Sequence, residues 1–191
     1  SNGMCAINGI VDLRGRSVDE RVRDDELVKR MNEITKHRGP DATQIWRDDF
    51  ATFGSNRLAV IDLSLSANQP MTSASGRFVI VFNGEIYNYK ALSKDIKLKT
   101  NSDCEVIIHM YKMYGIEYLF ELLDGVFAFI LYDTNIEKVY VARDPYGVRP
   151  LYFHNNCGMT FASEIKQINC IGVNIKQFEP GSFMELGLEK K

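Results

Sequence analysis

The chain has 191 residues and a formal net charge of −2, a length sufficient for one domain with a substantial hydrophobic core. Its basic residues are scattered, which argues against a nucleic-acid-binding or anionic-membrane-binding protein. The longest apolar run, Val126–Tyr132, has the length of a strand rather than of a membrane-spanning helix. The four cysteines show no metal-ligand spacing, so we expect a cytoplasmic protein without a metal site.

The first half of the chain predicts strands around one helix. A strand is predicted over Ala6–Leu13, which is apolar, and a helix over Asp25–Lys36, where apolar residues recur at helical spacing. A loop follows at His37–Asp41, and residues 64–76, rich in Ser, Ala, Asn and Pro, predict another. Further short strands are predicted at Gln44–Trp46, Phe50–Gly54, Asn56–Asp62 and Phe78–Phe82.

The second half predicts two helices followed by strands. Ser102 and Glu105 form an S-x-x-E capping box that opens a helix ending near Gly115, and a second helix covers Ile116–Leu123. Asn155–Gly158 predicts a hairpin turn. The remaining elements are strands at Val126–Tyr132, Val139–Arg143, Leu151–Phe153, Met159–Ala162 and Ser182–Leu186, and a short helix or turn at Glu164–Asn169. Adjacent hairpins favour an α+β fold of antiparallel sheets with helices on their outer faces.

Cys5 is the first candidate for chemistry. Ser1–Gly3 has the composition of a scar from a cleaved fusion tag, so the natural chain would begin Met4-Cys5. Removal of the initiator Met would leave a thiol and an α-amine on one residue. An α-amine has a pKa of about 7.7–8.0, so this nucleophile would carry its own base.

Asn83-Gly84-Glu85 supplies a candidate oxyanion site. It follows the apolar strand predicted at Phe78–Phe82, where an Asn side-chain amide and a Gly backbone amide can both donate to a developing negative charge. The alternative is an ordinary Asn-Gly turn, because this dipeptide is common in hairpins.

Two charged residues are candidates for holding an amino acid. Arg57 lies in an apolar stretch and suits a substrate carboxylate; the alternative is an edge-strand arginine with a solvated head. Asp103 suits a substrate ammonium, and the alternative is a first-turn acid favoured by the helix dipole. Glu85 would share the ammonium or be solvated. None of the three histidines has metal-binding spacing.

Taken in order, these segments resemble the class II, or N-terminal-nucleophile, glutamine amidotransferases. The nearest resemblance is to the glutaminase domain of glutamine-hydrolysing asparagine synthetase. The matching stretches, spread over nearly all of residues 4–186, are Met4–Ile7, His37–Asp41, Arg57–Asp62, Asn68–Met71, Phe82–Tyr87, Ser102–Glu105, Leu123–Phe129, Ala142–Tyr152 and Ala162–Lys166.

The resemblance implies a four-layer αββα sandwich of two antiparallel sheets, the N-terminal nucleophile hydrolase fold. It implies that Cys5 forms a γ-glutamyl thioester with its α-amine as proton shuttle, and that Asn83 and Gly84 form the oxyanion hole. Arg57 would hold the glutamine carboxylate, and Glu85 and Asp103 the amino end. The implied substrate-binding residues are Arg57, Leu58, Ala59, Val60, Ile61, Asn83, Gly84, Glu85 and Asp103.

Two departures from the family pattern bear on function. The chain begins Cys-Ala-Ile where the family usually has Cys-Gly-Ile, so the methyl of Ala6 would either narrow the pocket or be harmless in extended backbone. The chain also has no S-G-G-x-D-S motif and no P-loop. We therefore expect residues 4–191 to be a glutaminase domain, cut from a longer synthetase or acting as a separate subunit, with truncation favoured. ATP and Mg²⁺ are expected only in the synthetase domain.

The expected partners are glutamine and an ammonia-accepting synthetase domain, in cis or in trans, with a homodimer left open. Three other functions remain open. One is the glutaminase domain of a phosphoribosyl-diphosphate or fructose-6-phosphate amidotransferase. Another is an N-terminal-nucleophile peptidase or acylase. The third is a module that binds glutamine without turnover, which the substitution at Ala6 would favour.

Overall fold

The computed structural model describes residues 5–38, 42–57, 69–100, 102–155, 158–169 and 174–189. The strands are β1 (Ala6–Val11), β2 (Ala42–Arg47), β3 (Ala51–Arg57), β4 (Met71–Thr72), β5 (Phe78–Ile86), β6 (Gly125–Asp133), β7 (Lys138–Arg143), β8 (Tyr152–Asn155), β9 (Met159–Ala162), β10 (Lys176–Gln177) and β11 (Ser182–Gly187). The helices are α1 (Val18–Ile34), α2 (Tyr89–Ser93), α3 (Asp103–Leu122) and α4 (Ile165–Ile168), with a 3₁₀ turn at Lys36–Arg38. Across these ranges, no helix is long and apolar enough to cross a membrane.

The strands form two antiparallel sheets that pack face to face. The first sheet has the order β10-β8-β9-β1-β3-β2, and the second has the order β11-β7-β6-β5-β4. Buried side chains between them include Ile7, Phe53, Val81 and Ile130. Helices α1 and α4 pack on the outer face of the first sheet, and α2 and α3 cover the second. The predicted αββα sandwich is therefore confirmed.

Helix α1 begins earlier than the sequence prediction. Ser17 caps it, because the Ser17 hydroxyl accepts from the Glu20 amide while the Glu20 carboxylate accepts from the Ser17 amide. This is a reciprocal capping box. The prediction that the helix starts at Asp25 was wrong, because it relied on apolar spacing alone and passed over the S-x-x-E signal.

Helix α3 begins where predicted, but its cap differs. The Ser102 hydroxyl accepts from the amide of Cys104, and the Glu105 carboxylate accepts from the amides of Lys99 and Thr100. The prediction of a reciprocal capping box was therefore wrong, although Ser102 and Glu105 both stabilise the start of the helix. Gly115, with φ +81°, interrupts the helix, which confirms the predicted break.

Two strands are longer than predicted. Strand β5 continues to Ile86, so Asn83 and Gly84 pair with β6 rather than follow the strand. The turn alternative for this dipeptide is therefore wrong. Strand β3 is continuous through Ala51–Arg57, replacing the two strands predicted there, and residues 58–62 lie outside the described residues. The β8–β9 hairpin pairs as predicted.

Candidate active site

Cys5 lies immediately before β1, a central strand hydrogen-bonded to β9 on one side and β3 on the other. Side chains alternate along a strand. Ile7 and Val11 lie between the two sheets, whereas Ile10 packs against α1. Cys5, two residues before Ile7, continues the inter-sheet series and is half-buried. The sheet thus fixes the position of the candidate nucleophile.

Ala6 lies on the opposite face of the same strand. It pairs with Asn56, whose side-chain amide donates to the Asn32 carbonyl of α1 at 2.8 Å. Directly paired residues share a face, so the Ala6 methyl is buried on the helix side. Because Ala6 is extended and its methyl lies away from Cys5, this substitution does not narrow the space beside the thiol.

The packing of the sheets places Asn83 at the Cys5 end. A methyl group placed on Gly9 would lie 3.1 Å from Cδ1 of Ile130 in β6. Farther from Cys5, the Tyr132 hydroxyl donates to Asp48 at 2.7 Å. The direction along β1 toward Cys5 is therefore the same as the direction along β6 that leads from Tyr132 to Ile130 and then to Ala128. The same direction in β5 leads to Asn83, two residues beyond the partner of Ile130.

Asn83 and Gly84 have the features of an oxyanion site. The Asn83 side chain is 1% exposed, and within the described part of the chain its Nδ2 has no hydrogen-bond partner. A buried unsatisfied donor costs roughly 1–3 kcal/mol, so a polar group of a ligand would relieve a real penalty. At Gly84, φ is +143° and an added Cβ would overlap the carbonyl oxygen of Val126 and lie 2.7 Å from Cα of Phe127. Only glycine fits there.

The loop after β7 supports the strand opposite Gly84. The Asp144 carboxylate accepts from the amides of Phe127 and Gly147, both at 3.1 Å, and Phe127 is the partner of Gly84. The buried Arg143 guanidinium donates to the Gly147 carbonyl at 2.8 Å and to two further carbonyls. These charged residues, within the stretch Ala142–Tyr152, therefore hold β6 and the loop after β7 in place.

Asp103 joins the start of α3 to the end of β5. Its Oδ2 accepts from the Ile86 amide at 3.3 Å. Burial raises the pKa of Asp103 to about 6; the Ile86 hydrogen bond opposes this shift, and the nearby charge of Glu85 adds to it. Glu85 itself is exposed. A carboxylate with a raised pKa in a partly enclosed position is a common feature of binding and catalytic sites.

The remaining predicted site residues are described only in part. The backbone of Arg57 ends β3, where it pairs with Ala42 and follows Asn56, the partner of Ala6. This places the Arg57 backbone beside the Cys5 end of β1. The predicted pocket-lining residues Leu58, Ala59, Val60 and Ile61 lie outside the described residues.

Sequence reasoning missed a polar network behind β1. The Asn8 amide donates to Oδ1 of Asn32 at 2.7 Å, and the Asn56 amide donates to the Asn32 carbonyl. The Gln167 amide donates to the Met31 carbonyl at 3.2 Å. The bonds from Asn56 and Gln167 reach backbone carbonyls in the last turn of α1, where the helix leaves carbonyls without intrahelical partners, and the bond from Asn8 holds the Asn32 side chain. Isolated Asn and Gln residues gave no sequence signal for such a network.

The fold is that of known amidotransferases. Over 96% of this chain and 47% of the other, it matches the glutamine phosphoribosylpyrophosphate amidotransferase from B. subtilis complexed with ADP and GMP, with TM-score 0.77 and 20% identity. A structure of the allosteric regulatory enzyme of purine biosynthesis matches with TM-score 0.75, 19% identity and the same coverage. These likenesses establish the fold.

Sequence comparison gives the family. Residues 4–187 match the glutamine amidotransferase domain, and the chain belongs to this family. It is 37% identical over 185 residues to asparagine synthetase [glutamine-hydrolyzing] 1 of Arabidopsis thaliana, covering 94% of this chain and 31% of the relative. It is 36% identical over 187 residues to asparagine synthetase B of Escherichia coli, covering 95% and 33%. The chain thus spans about a third of the length of these relatives.

Proposed function

We propose that this chain hydrolyses glutamine to glutamate and ammonia through a thioester on Cys5 and supplies the ammonia to an asparagine synthetase domain. That domain would convert aspartate to asparagine with ATP and Mg²⁺, in a longer form of this protein or in a partner chain. The observation that carries the proposal is the buried, unpartnered Nδ2 of Asn83 at the Cys5 end of the sheets. The similarity to asparagine synthetases favours this acceptor.

The proposed acylation step uses two groups of one residue. The α-amine of Cys5 takes the thiol proton as the sulfur attacks the side-chain amide carbon of glutamine. Nδ2 of Asn83 and the backbone amide of Gly84 donate to the oxyanion, a contribution of about 10²–10³ in rate for one such donor. The amine passes its proton to the departing nitrogen, ammonia leaves, and water then hydrolyses the thioester.

The proposed substrate contacts follow from charge. Arg57 pairs with the glutamine carboxylate, and the backbone of residues 58–61 lines the pocket. Asp103 and Glu85 bind the ammonium, which is supported by their proximity at the start of α3 and the end of β5. A charged carboxylate that is partly buried gains most from a cationic ligand.

Glutamine binding is expected to weaken in mild acid because Asp103 becomes protonated. With a pKa of about 6, Asp103 is mostly ionised at pH 7 and mostly neutral at pH 5, while the substrate ammonium stays charged. The association constant for glutamine should fall about tenfold over this range. Calorimetry with a Cys5→Ala variant would measure binding without turnover.

Asp103→Asn is the matched control for this pH dependence. It should bind glutamine weakly, with little change between pH 7 and pH 5. Because the folded-state pKa of Asp103 lies above the unfolded value of about 3.9, its contribution to stability falls as pH rises from about 4 to 6. Asp103→Asn should therefore be at least as stable as wild type at pH 7. An unchanged pH dependence in the variant would contradict the assignment.

Glutamate release by the chain that begins at Cys5 tests the proposed function. We expect one glutamate and one ammonia per glutamine, no turnover of asparagine, and loss of both products in Cys5→Ala. Hydrolysis of unrelated amides would favour a peptidase or acylase instead. Glutamine binding without hydrolysis in the wild-type chain would favour a non-catalytic module.

The acceptor is tested separately. Mixed with a synthetase domain, ATP, Mg²⁺ and aspartate, the chain should support the formation of asparagine from aspartate, with glutamine as the source of nitrogen. Phosphoribosyl-diphosphate or fructose 6-phosphate acting as the ammonia acceptor would contradict this assignment. We place the reaction in the cytoplasm, where ATP is available and the Cys5 thiol stays reduced. The proposed reaction does not depend on the formation of a homodimer.

A further inference from the structure

Ser55 is a buried polar residue that the chemistry above does not use. It lies in β3 and pairs with Ile7 of β1. Its side chain is 0% exposed, and its hydroxyl has no hydrogen-bond partner among the residues that the structure describes. Buried polar groups are nearly always paired. An unpaired hydroxyl in the strand next to the candidate nucleophile therefore requires an explanation.

The Ser55 hydroxyl lies in the space between the sheets. Ala51 and Phe53 of β3 belong to the inter-sheet core, and side-chain alternation places Ser55 on the same face. Its level along the sheet is that of Ile7, two residues from Cys5 and toward the Asn83 end of β5. Within the described residues, Ser55 Oγ and Asn83 Nδ2 are thus unpartnered polar atoms on the facing surfaces of the two sheets.

Ser163 provides a contrast within the same layer. It also is fully buried, and it flanks Ile7 on the side opposite Ser55. Its hydroxyl accepts from the Ile7 amide at 2.9 Å, and its own amide donates to the Ile7 carbonyl at 3.0 Å. A buried serine at this level can thus be satisfied by the strand itself, and Ser55 is not.

We propose that the Ser55 hydroxyl binds the water that hydrolyses the Cys5 thioester, an inference that rests on the proposed function. Ser55 and Cys5 are diagonal neighbours on paired strands, a relation that separates residues by about 7–8 Å. In the proposal, one water molecule bridges this separation between the hydroxyl and the acyl group. In the proposed site Arg57 pairs with the carboxylate and Asp103 and Glu85 with the ammonium, which leaves the Ser55 hydroxyl for water, a molecule that can both donate to it and accept from it.

The deacylation step then balances without loss of a proton from Ser55. The water oxygen bonds to the acyl carbon as the carbon–sulfur bond breaks. One water proton passes to the Cys5 α-amine and from there to the sulfur, which restores the thiol. The other stays on the new carboxylic acid, and the Ser55 oxygen accepts a hydrogen bond from the water during attack.

Partitioning of the acyl-enzyme between water and hydroxylamine tests this role. In Ser55→Ala, beginning at Cys5, we expect the single-turnover burst of ammonia to keep its rate within about twofold, because acylation needs no water. Glutamate release should fall about tenfold. The ratio of γ-glutamyl hydroxamate to glutamate should rise by a similar factor, because hydroxylamine does not depend on the Ser55 hydroxyl.

Control variants separate this role from a structural one. Ser163→Ala should leave the product ratio unchanged, and Ser55→Thr should restore the wild-type ratio. Ser55→Gly removes the same hydroxyl and should reproduce the Ser55→Ala ratio if the alanine variant folds poorly. An unchanged ratio in both hydroxyl-free variants overturns the proposal for Ser55 alone. Absence of a Cys5-dependent ammonia burst in the wild type overturns the proposed function itself.

Discussion

A chain that retains Ser1–Met4 ahead of Cys5 is expected to release glutamate about 10²–10⁴ times more slowly than the same chain beginning at Cys5. The first residue of a processed chain carries an amine that accepts the thiol proton near neutral pH. With the leader attached, that nitrogen belongs to a peptide bond and is no longer basic. Steady-state glutamate release from the two forms at equal concentration would measure the difference.

Chemical blocking of the amine provides the control. Acetylation of the processed chain at Cys5 should reduce activity to the level of the leader-bearing form, while alkylation by iodoacetamide would show whether the thiol is still accessible. Equal glutamate release with and without the leader would show that a different group accepts the proton, and the assignment of the α-amine would be wrong.

Gly84→Ala is expected to abolish measurable turnover and to destabilise the fold. A Cβ at this position would overlap the Val126 carbonyl oxygen and crowd Cα of Phe127, and the backbone has φ +143°. Strands β5 and β6 would have to separate, which would move Asn83 away from the substrate. Displacements of about 1 Å in an active site cost about 10²-fold in rate. Thermal unfolding and glutamate release would report both effects.

Asn83→Ala should separate activity from stability. Glutamate release should fall about 10²–10³-fold, because one oxyanion donor is lost. The melting temperature should hold or rise, because the variant removes an unpartnered buried donor.

Gly76→Ala is the matched backbone control for Gly84→Ala, since Gly76 also has positive φ, +76°, but no described atom within 4 Å of an added Cβ. That variant should lose some stability and keep its activity.

The sequence predicted the architecture well because the strongest patterns are local. Alternating or continuous apolar runs located most strands, and Gly115 marked the break in α3. Where two local signals competed, the prediction was wrong: apolar spacing hid the capping box at Ser17, and the apolar run predicted that β5 ends at Phe82, before the Asn-Gly dipeptide, where the strand in fact continues. In β5 the pairing with β6 outweighs turn propensity.

The candidate site was predictable only as a set of residues. Cys5, Asn83 and Asp103 each carry recognisable chemistry, but their relative placement depends on how two sheets stack. The buried state of Ser55 depends on its pairing with Ile7, a contact 48 residues away in the sequence. Nothing near Ser55 in the sequence indicates that its hydroxyl lacks a partner.

The C-terminal end of α1 couples the outer helix to the strand that carries the nucleophile. Side chains from β3 and α4 donate to last-turn carbonyls, and Asn8 of β1 donates to the Asn32 side chain, so the helix end cannot fray without leaving buried polar groups on these three elements unpaired. Local opening of α1 and of β1 should therefore occur as one cooperative event. Fraying of the helix end alone would then leave the position of Cys5 unchanged, and the lifetime of the active geometry would be set by the joint opening of α1 and β1.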